Sequence, residues 1–130
     1  MRFAKIVFLI AGIYGMLVLV PPYFMEAAIG RLTPPPITHA EYFYGFLGAG
    51  LAWQAVFLVI ATDVSRYRPL IGPSVIEKVS YGVALLVLHF QQRISNSAFA
   101  VRSIDWIFAA LFIAAYFSTS ADRKQSPETI

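Results

Sequence analysis

From Ile6 to Met25, and again from Tyr42 to Thr62, the chain carries no charged side chain. Each stretch is about as long as a helix needs to cross the ~30 Å apolar core of a bilayer at 1.5 Å of rise per residue. Composition points the same way: 58% of the 130 residues are hydrophobic and 13% are charged, against roughly half and a quarter in soluble domains. The expected fold is all-α, a single integral membrane four-helix bundle with no room for a separate soluble domain. The helices are expected over about 4–25, 38–62, 74–93 and 103–120, followed by a disordered cytoplasmic tail over 121–130.

Local signals set those bounds. Arg2 and Lys5 precede the first span, which lacks a clear small-x-small cleavage site and therefore reads as a retained anchor rather than a signal peptide. Pro21 and Pro22 end or kink it, because proline removes a backbone donor and clashes one turn back. The run Pro34-Pro35-Pro36 holds the following connection extended. Thr38-His39-Ala40-Glu41 and Ser74-Val75-Ile76-Glu77 both have the spacing of a capping box, so they mark the starts of the second and third helices. On that placement Lys78 lies in the first turns of the third helix and snorkels back to the surface. Asp105 falls in the first turn of the fourth, where the helix dipole favours an anion.

Orientation follows from the basic residues. With the N-terminus inside, Arg2, Lys5, Arg66, Arg68, Lys78, Arg123 and Lys124 are cytoplasmic, and only Arg31, Arg93 and Arg102 are outside. The positive-inside rule then puts both termini in the cytoplasm. The basic residues are spread along connections and ends, which argues against a nucleic-acid partner. There is no cysteine, which removes disulfide, thiolate and iron-sulfur chemistry.

Polar side chains inside the spans are the candidates for function, since each costs free energy unless paired or used. Counting helical rise puts Gln54 roughly 20 Å below the outer end of its helix and Ser80 at about the same depth. Trp53, Gln54, Ser80, Tyr81 and Tyr116 would form one inner cluster, with Gln54 approaching Ser80 or Tyr81 across the second and third helices. A second, outer group comprises His89, Tyr44, Tyr14, Glu41 and His39, with His89 roughly 6 Å below the outer end of its helix. The expected ligand-binding set is Tyr44, Trp53, Gln54, His89 and Glu41. Each has a plainer reading beside it: Gln54 as interhelical glue, Glu41 and Glu77 as caps, His89 as a partner of Tyr44. Gly45, Gly48 and Ala52 recur at three and four positions, which predicts a close helix contact along that stripe. Ser80 has no histidine at its level to activate it, so a membrane hydrolase is disfavoured. Four-helix multidrug exporters carry a glutamate in the first helix that this chain lacks.

Tyr44-Gly45-Phe46, Ala52-Trp53-Gln54, Arg66-Tyr67-Arg68-Pro69 and Glu77-Lys78 carry a resemblance over residues 1 to about 120. In these motifs the chain resembles a family of small, uncharacterised bacterial membrane proteins, loosely similar to the DoxX-like four-helix group. The resemblance implies a bacterial inner membrane and a four-helix bundle, and brings no activity or cofactor with it. The leading expectation is a non-enzymatic module, without cofactor or metal, that binds a lipophilic small molecule or another membrane protein among the membrane lipids. A small homo-oligomeric transporter is the alternative. A redox protein holding haem between His39 and His89 is the third reading.

Overall fold

The computed structural model describes residues 2–125, with side chains through residue 120. The helices are α1 (Arg2–Leu19), α2 (Glu26–Leu32), α3 (Ala40–Thr62), α4 (Ile71–Phe90), α5 (Asn96–Arg102) and α6 (Ile104–Gln125), and no strand occurs among the described residues. With their flanking turns they form four stretches long and apolar enough to cross a membrane: Arg2–Phe24, Ala40–Thr62, Arg68–Phe90 and Asn96–Ser120.

Pro21 and Pro22 act as expected. Neither can donate a backbone hydrogen bond, so α1 stops at Leu19 and the chain turns through a 3-10 segment, Pro21–Phe24. The connection beyond it is not wholly extended, because Glu26–Leu32 forms the short helix α2 before the proline run. The last helix continues through Gln125, into the segment expected to be a tail, and residues 126–130 lie outside the described ones.

Both capping boxes fail. His39 stands at the N-cap of α3 without a side-chain cap bond, and the Thr38 hydroxyl pairs with His39 Nδ1 at 3.1 Å instead. α4 begins at Ile71, so Ser74 lies inside the helix and donates to the Leu70 carbonyl at 2.7 Å. Pro73 does not prevent this earlier start, since the first turn of a helix has no use for its N–H groups. The fourth span likewise begins before the expected 103. Ser95 caps α5 by accepting from the Ala98 N–H at 3.2 Å, and a break at Ser103 passes the chain into α6.

Consecutive spans are antiparallel. Gly12 faces Leu58 while Gly15 faces Gln54, and Arg68 reaches Thr119 while Gly82 faces Trp106. α1 packs chiefly on α3, α4 packs on α6, and α1 meets α6, whereas α3 and α4 touch little. The start of α1 and the end of α6 therefore share one end of the bundle. At that end the Arg68 guanidinium lies 3.7 Å over the Tyr116 ring and donates to the Tyr116 carbonyl at 2.9 Å, tying α4 to α6.

The buried face of α1 is Ala4, Val7, Phe8, Ala11, Gly12 and Gly15, a three-and-four spacing that keeps one stripe inward. Phe8 stacks on Phe112 at 4.4 Å and Phe57 meets Phe112 edge-on at 4.9 Å, closing the terminal half of the core with Ile60 and Ile71. Outward faces are apolar as well: Leu17 is 71% exposed and Phe117 66%. An apolar belt of this kind is a liability in water and ordinary against lipid tails.

The close helix contact is not on the expected stripe. Gly45 has open space around it and Ala52 is exposed, whereas Gly12, Gly15 and Gly50 sit where α1 and α3 approach, and Gly82 sits against Trp106. Small residues in α3 mark two faces, and the buried one follows Leu47, Gln54, Phe57 and Ala61.

Candidate functional site

The tight pairs α1–α3 and α4–α6 leave a cleft where α3 and α4 do not close on each other. It is a cavity of about 560 Å³, within the range usual for small-molecule sites. Its walls near the α2 end are apolar, supplied by Leu19, Ile29, Ile37, Phe46 and Val101. Phe46 and Tyr81 approach each other across it at 5.8 Å. Deeper in, Tyr14, Gln54, Glu77, Lys78 and Asp105 line it.

Lys78 is the centre of that floor. It is 6% exposed, and its ammonium lies 3.3 Å from Asp105 Oδ1 and 3.5 Å from Glu77 Oε2. It also stands 5.3 Å from the Phe57 ring and 5.6 Å from Phe108, within reach of a cation-π attraction. The snorkelling expectation for Lys78 is thus overturned. Glu77, expected as a cap, is instead a half-buried partner of this ion pair. Asp105 does occupy the first turn of α6, but α5 precedes it, which carries its carboxylate down beside Lys78. Two carboxylates around one ammonium in the interior of a bundle are costly and therefore conspicuous.

Gln54 is 2% exposed and projects over Gly15 of α1. Its Nε2 donates to the Gly50 carbonyl at 2.9 Å, and its Oε1 has no partner. It shares the cavity with Tyr81, but not with Ser80, whose hydroxyl is turned back to the Glu77 carbonyl at 3.0 Å. Trp53 packs on Phe57 at 6.4 Å, and Tyr116 lies under Arg68 at the terminal end, so the expected inner cluster is not one site.

The outer group is also dispersed. The Tyr44 hydroxyl donates to Glu26 Oε2 at 2.9 Å and its ring packs beside Tyr23. His89 stacks on Phe99 of α5 at 4.2 Å, with Nδ1 buried and unpartnered. Glu41 is exposed on the first turn of α3, and His39 is exposed beside Thr38. Among the described residues no three His, Cys, Asp or Glu side chains converge to hold a metal ion.

Sequence reasoning therefore missed Glu77, Lys78 and Asp105 as a unit. A signal was present for two of them: a span of about 20 residues counted back from Phe90 starts at Ile71 and takes Glu77 and Lys78 well inside, whereas the same count from Ser120 leaves Asp105 one turn from the end. No family model, no curated protein and no solved structure matches the chain.

Proposed function

We propose that the chain is a multi-pass protein of a bacterial inner membrane, with both termini cytoplasmic, and that it binds an amphipathic, lipophilic molecule in the cleft between α3 and α4. The observation that carries this reading is the cleft itself, apolar along its walls and polar at its floor, which Gln54 lines together with the ion-paired Glu77, Lys78 and Asp105. Sites for small lipophilic molecules have this composition: mostly apolar surface with a few convergent polar groups that fix orientation. Kinship with the DoxX-like group is part of the same proposal.

A transporter is the second reading, and the packing speaks against it. Below Lys78 the interlocked rings of Phe8, Phe57 and Phe112, with Ile60 and Ile71, form an apolar layer between the floor and the terminal end. Among the described residues the polar side chains buried at that level, Ser74 and Thr119, turn their hydroxyls onto the backbone carbonyls of Leu70, Ala115 and Tyr116, whereas a translocation path requires polar groups that line it from one end to the other.

Orientation is checked with single cysteines, which report cleanly because the chain has none of its own. Arg2, Lys5, Arg66 and Arg68 gather at the terminal end even with Lys78 withdrawn into the core. A membrane-impermeant maleimide should label Thr38→Cys in cells with a permeabilised outer membrane, and Ser65→Cys only after the inner membrane is opened. The reverse pattern would invert the topology.

Binding is checked by native mass spectrometry of the protein extracted with its own lipids. The wild type should retain one amphipathic molecule. Val101→Trp, a change at an exposed wall position, should lower that occupancy by about tenfold by filling the cleft, with the fold intact. Equal retention by both proteins would refute the binding reading.

A further inference from the structure

We infer that the head group this cleft takes is an anion, a carboxylate or phosphate held by Arg102 and Tyr81, with its alkyl chain along the apolar walls. The inference rests on the binding reading above and specifies the chemical class of its ligand.

The first support is the distribution of charge over the cavity. Glu77, Lys78, Arg102 and Asp105 line it, two anions and two cations, so the cavity as a whole is balanced. Three of the four are taken up with one another. Lys78 donates to Asp105 Oδ1 at 3.3 Å and lies 3.5 Å from Glu77 Oε2, and all three side chains are largely withdrawn from the surface. Arg102 stands outside that set. It is exposed, and among the described residues no carboxylate lies within ion-pair distance of it. Asp105 is only three residues further on, but its Oδ1 is committed to Lys78. The charge that an entering molecule can reach is therefore positive.

The second support is where that charge stands. Arg102 lines the cavity beside Tyr81, whose ring lies 5.8 Å from Phe46 across the cleft between α3 and α4. Its chain neighbour Val101 belongs to the apolar wall, which Ile29, Ile37 and Leu19 continue. A guanidinium presents its N–H donors in a planar fork that matches the paired oxygens of a carboxylate or phosphate, and the tyrosine hydroxyl can add a donor. A polar anchor thus sits next to enough apolar surface to cover a chain, the arrangement that an amphipathic anion requires.

These features discriminate between heads. An ammonium would meet the guanidinium, and the carboxylates that could attract it are already paired with Lys78. An alcohol or a ketone can accept from Arg102, but it brings no charge to strengthen the bond. A carboxylate or a phosphate accepts in bidentate fashion and cancels the exposed positive charge.

The test compares dodecanoate, dodecyl phosphate, dodecanol and dodecylamine, bound to the full chain in phosphatidylcholine nanodiscs at mildly alkaline pH, where the carboxylate is ionised. Occupancy is read by native mass spectrometry against empty nanodiscs. At least one of the two anions should bind about tenfold more tightly than dodecanol, the scale of one charge-assisted interaction, and dodecylamine should bind no better than dodecanol. Whichever anion binds more tightly separates a fatty-acid carboxylate from a lipid phosphate as the source. Arg102→Gln, a change at an exposed position, should bring both anions to the level of dodecanol, and Tyr81→Phe should weaken them less. Val101→Trp should remove the anions together with the other probes. Equal binding of all four probes, lost in Val101→Trp, would overturn the anion inference while leaving the cleft as a binding site. No saturable binding of any probe would overturn both. An anion preference that survives Arg102→Gln, or anion binding that Val101→Trp leaves intact, would place the anion outside the cleft and also overturn the inference.

Discussion

Replacing Lys78 by methionine should destabilise the bundle by about 3–5 kcal/mol, the cost typical of removing one partner from a buried ion pair. The side chains of Asp105 and Glu77 are only 15% and 20% exposed, so the carboxylates left behind could not be rescued by water. The penalty has a second origin. Lys78 also faces the rings of Phe57 and Phe108, and a shortened or redirected side chain loses both attractions. The expected result has a control built into it. If the loss comes from uncompensated charge, Lys78→Met/Asp105→Asn should be more stable than Lys78→Met alone, since an apolar replacement of a whole buried pair is often neutral. Thermal unfolding in nanodiscs, compared across the wild type, both single variants and the double variant, decides the matter. A Lys78→Met protein as stable as the wild type would mean that Lys78 lies at the surface, as the capping-box spacing of Ser74 and Glu77 predicts.

Why the sequence reading held that view can be traced to one kind of error. The first two long apolar helices were legible because charge-free stretches of membrane length leave little else to build, the other two because their apolar runs are interrupted only near one end, and the prolines at 21 and 22 end α1 where they stand. Helix starts were less legible. Ser74 and Glu77 have capping-box spacing, and with a start at 74 Lys78 lies one turn from the membrane surface. The helix begins at Ile71, with a 3-10 turn from Arg68 before it, and that shift takes Lys78 to mid-span. The sequence predicts a fourth helix from 103, and the start at Asn96 draws Asp105 inward by a comparable amount. Two late starts therefore turned one buried ion pair into two unrelated surface charges. Gln54 was identified as a polar group needing a partner, but its depth said nothing about its direction. It turns toward Gly15 of α1 because only a residue without a side chain leaves room there. His89 and Tyr44 share a level but not a face: α5 covers His89 with Phe99, and α2 brings Glu26 to Tyr44. Neither short helix was visible in the pattern of long apolar runs.

The stripe of small residues leads to the second large effect. Gly82→Ala should cost about 1–3 kcal/mol, the usual range for overpacking a close contact, and Gly82→Leu more. A Cβ at Gly82 would stand 2.5 Å from Trp106 Cε2 and 2.7 Å from Nε1, both in a rigid ring that cannot fold away as the tip of a leucine can. The indole must therefore swing or α6 must retreat. Trp106 follows Asp105 in the chain, so either movement also pulls the carboxylate from Lys78, and the steric cost and the electrostatic cost are coupled. Gly45→Leu provides the contrast, because a Cβ there meets nothing within 4 Å. Gly48→Leu is intermediate, with the Tyr23 hydroxyl at 3.4 Å as its nearest neighbour. Thermal midpoints in one detergent should thus rank Gly45→Leu near the wild type, Gly48→Leu slightly below it, and Gly82→Ala lowest, although alanine is the smallest side chain of the three. If Gly45→Leu or Gly48→Leu proved the more damaging, the helix contact would lie along the stripe of Gly45, Gly48 and Ala52, and the pairing of α4 with α6 through Gly82 would be wrong.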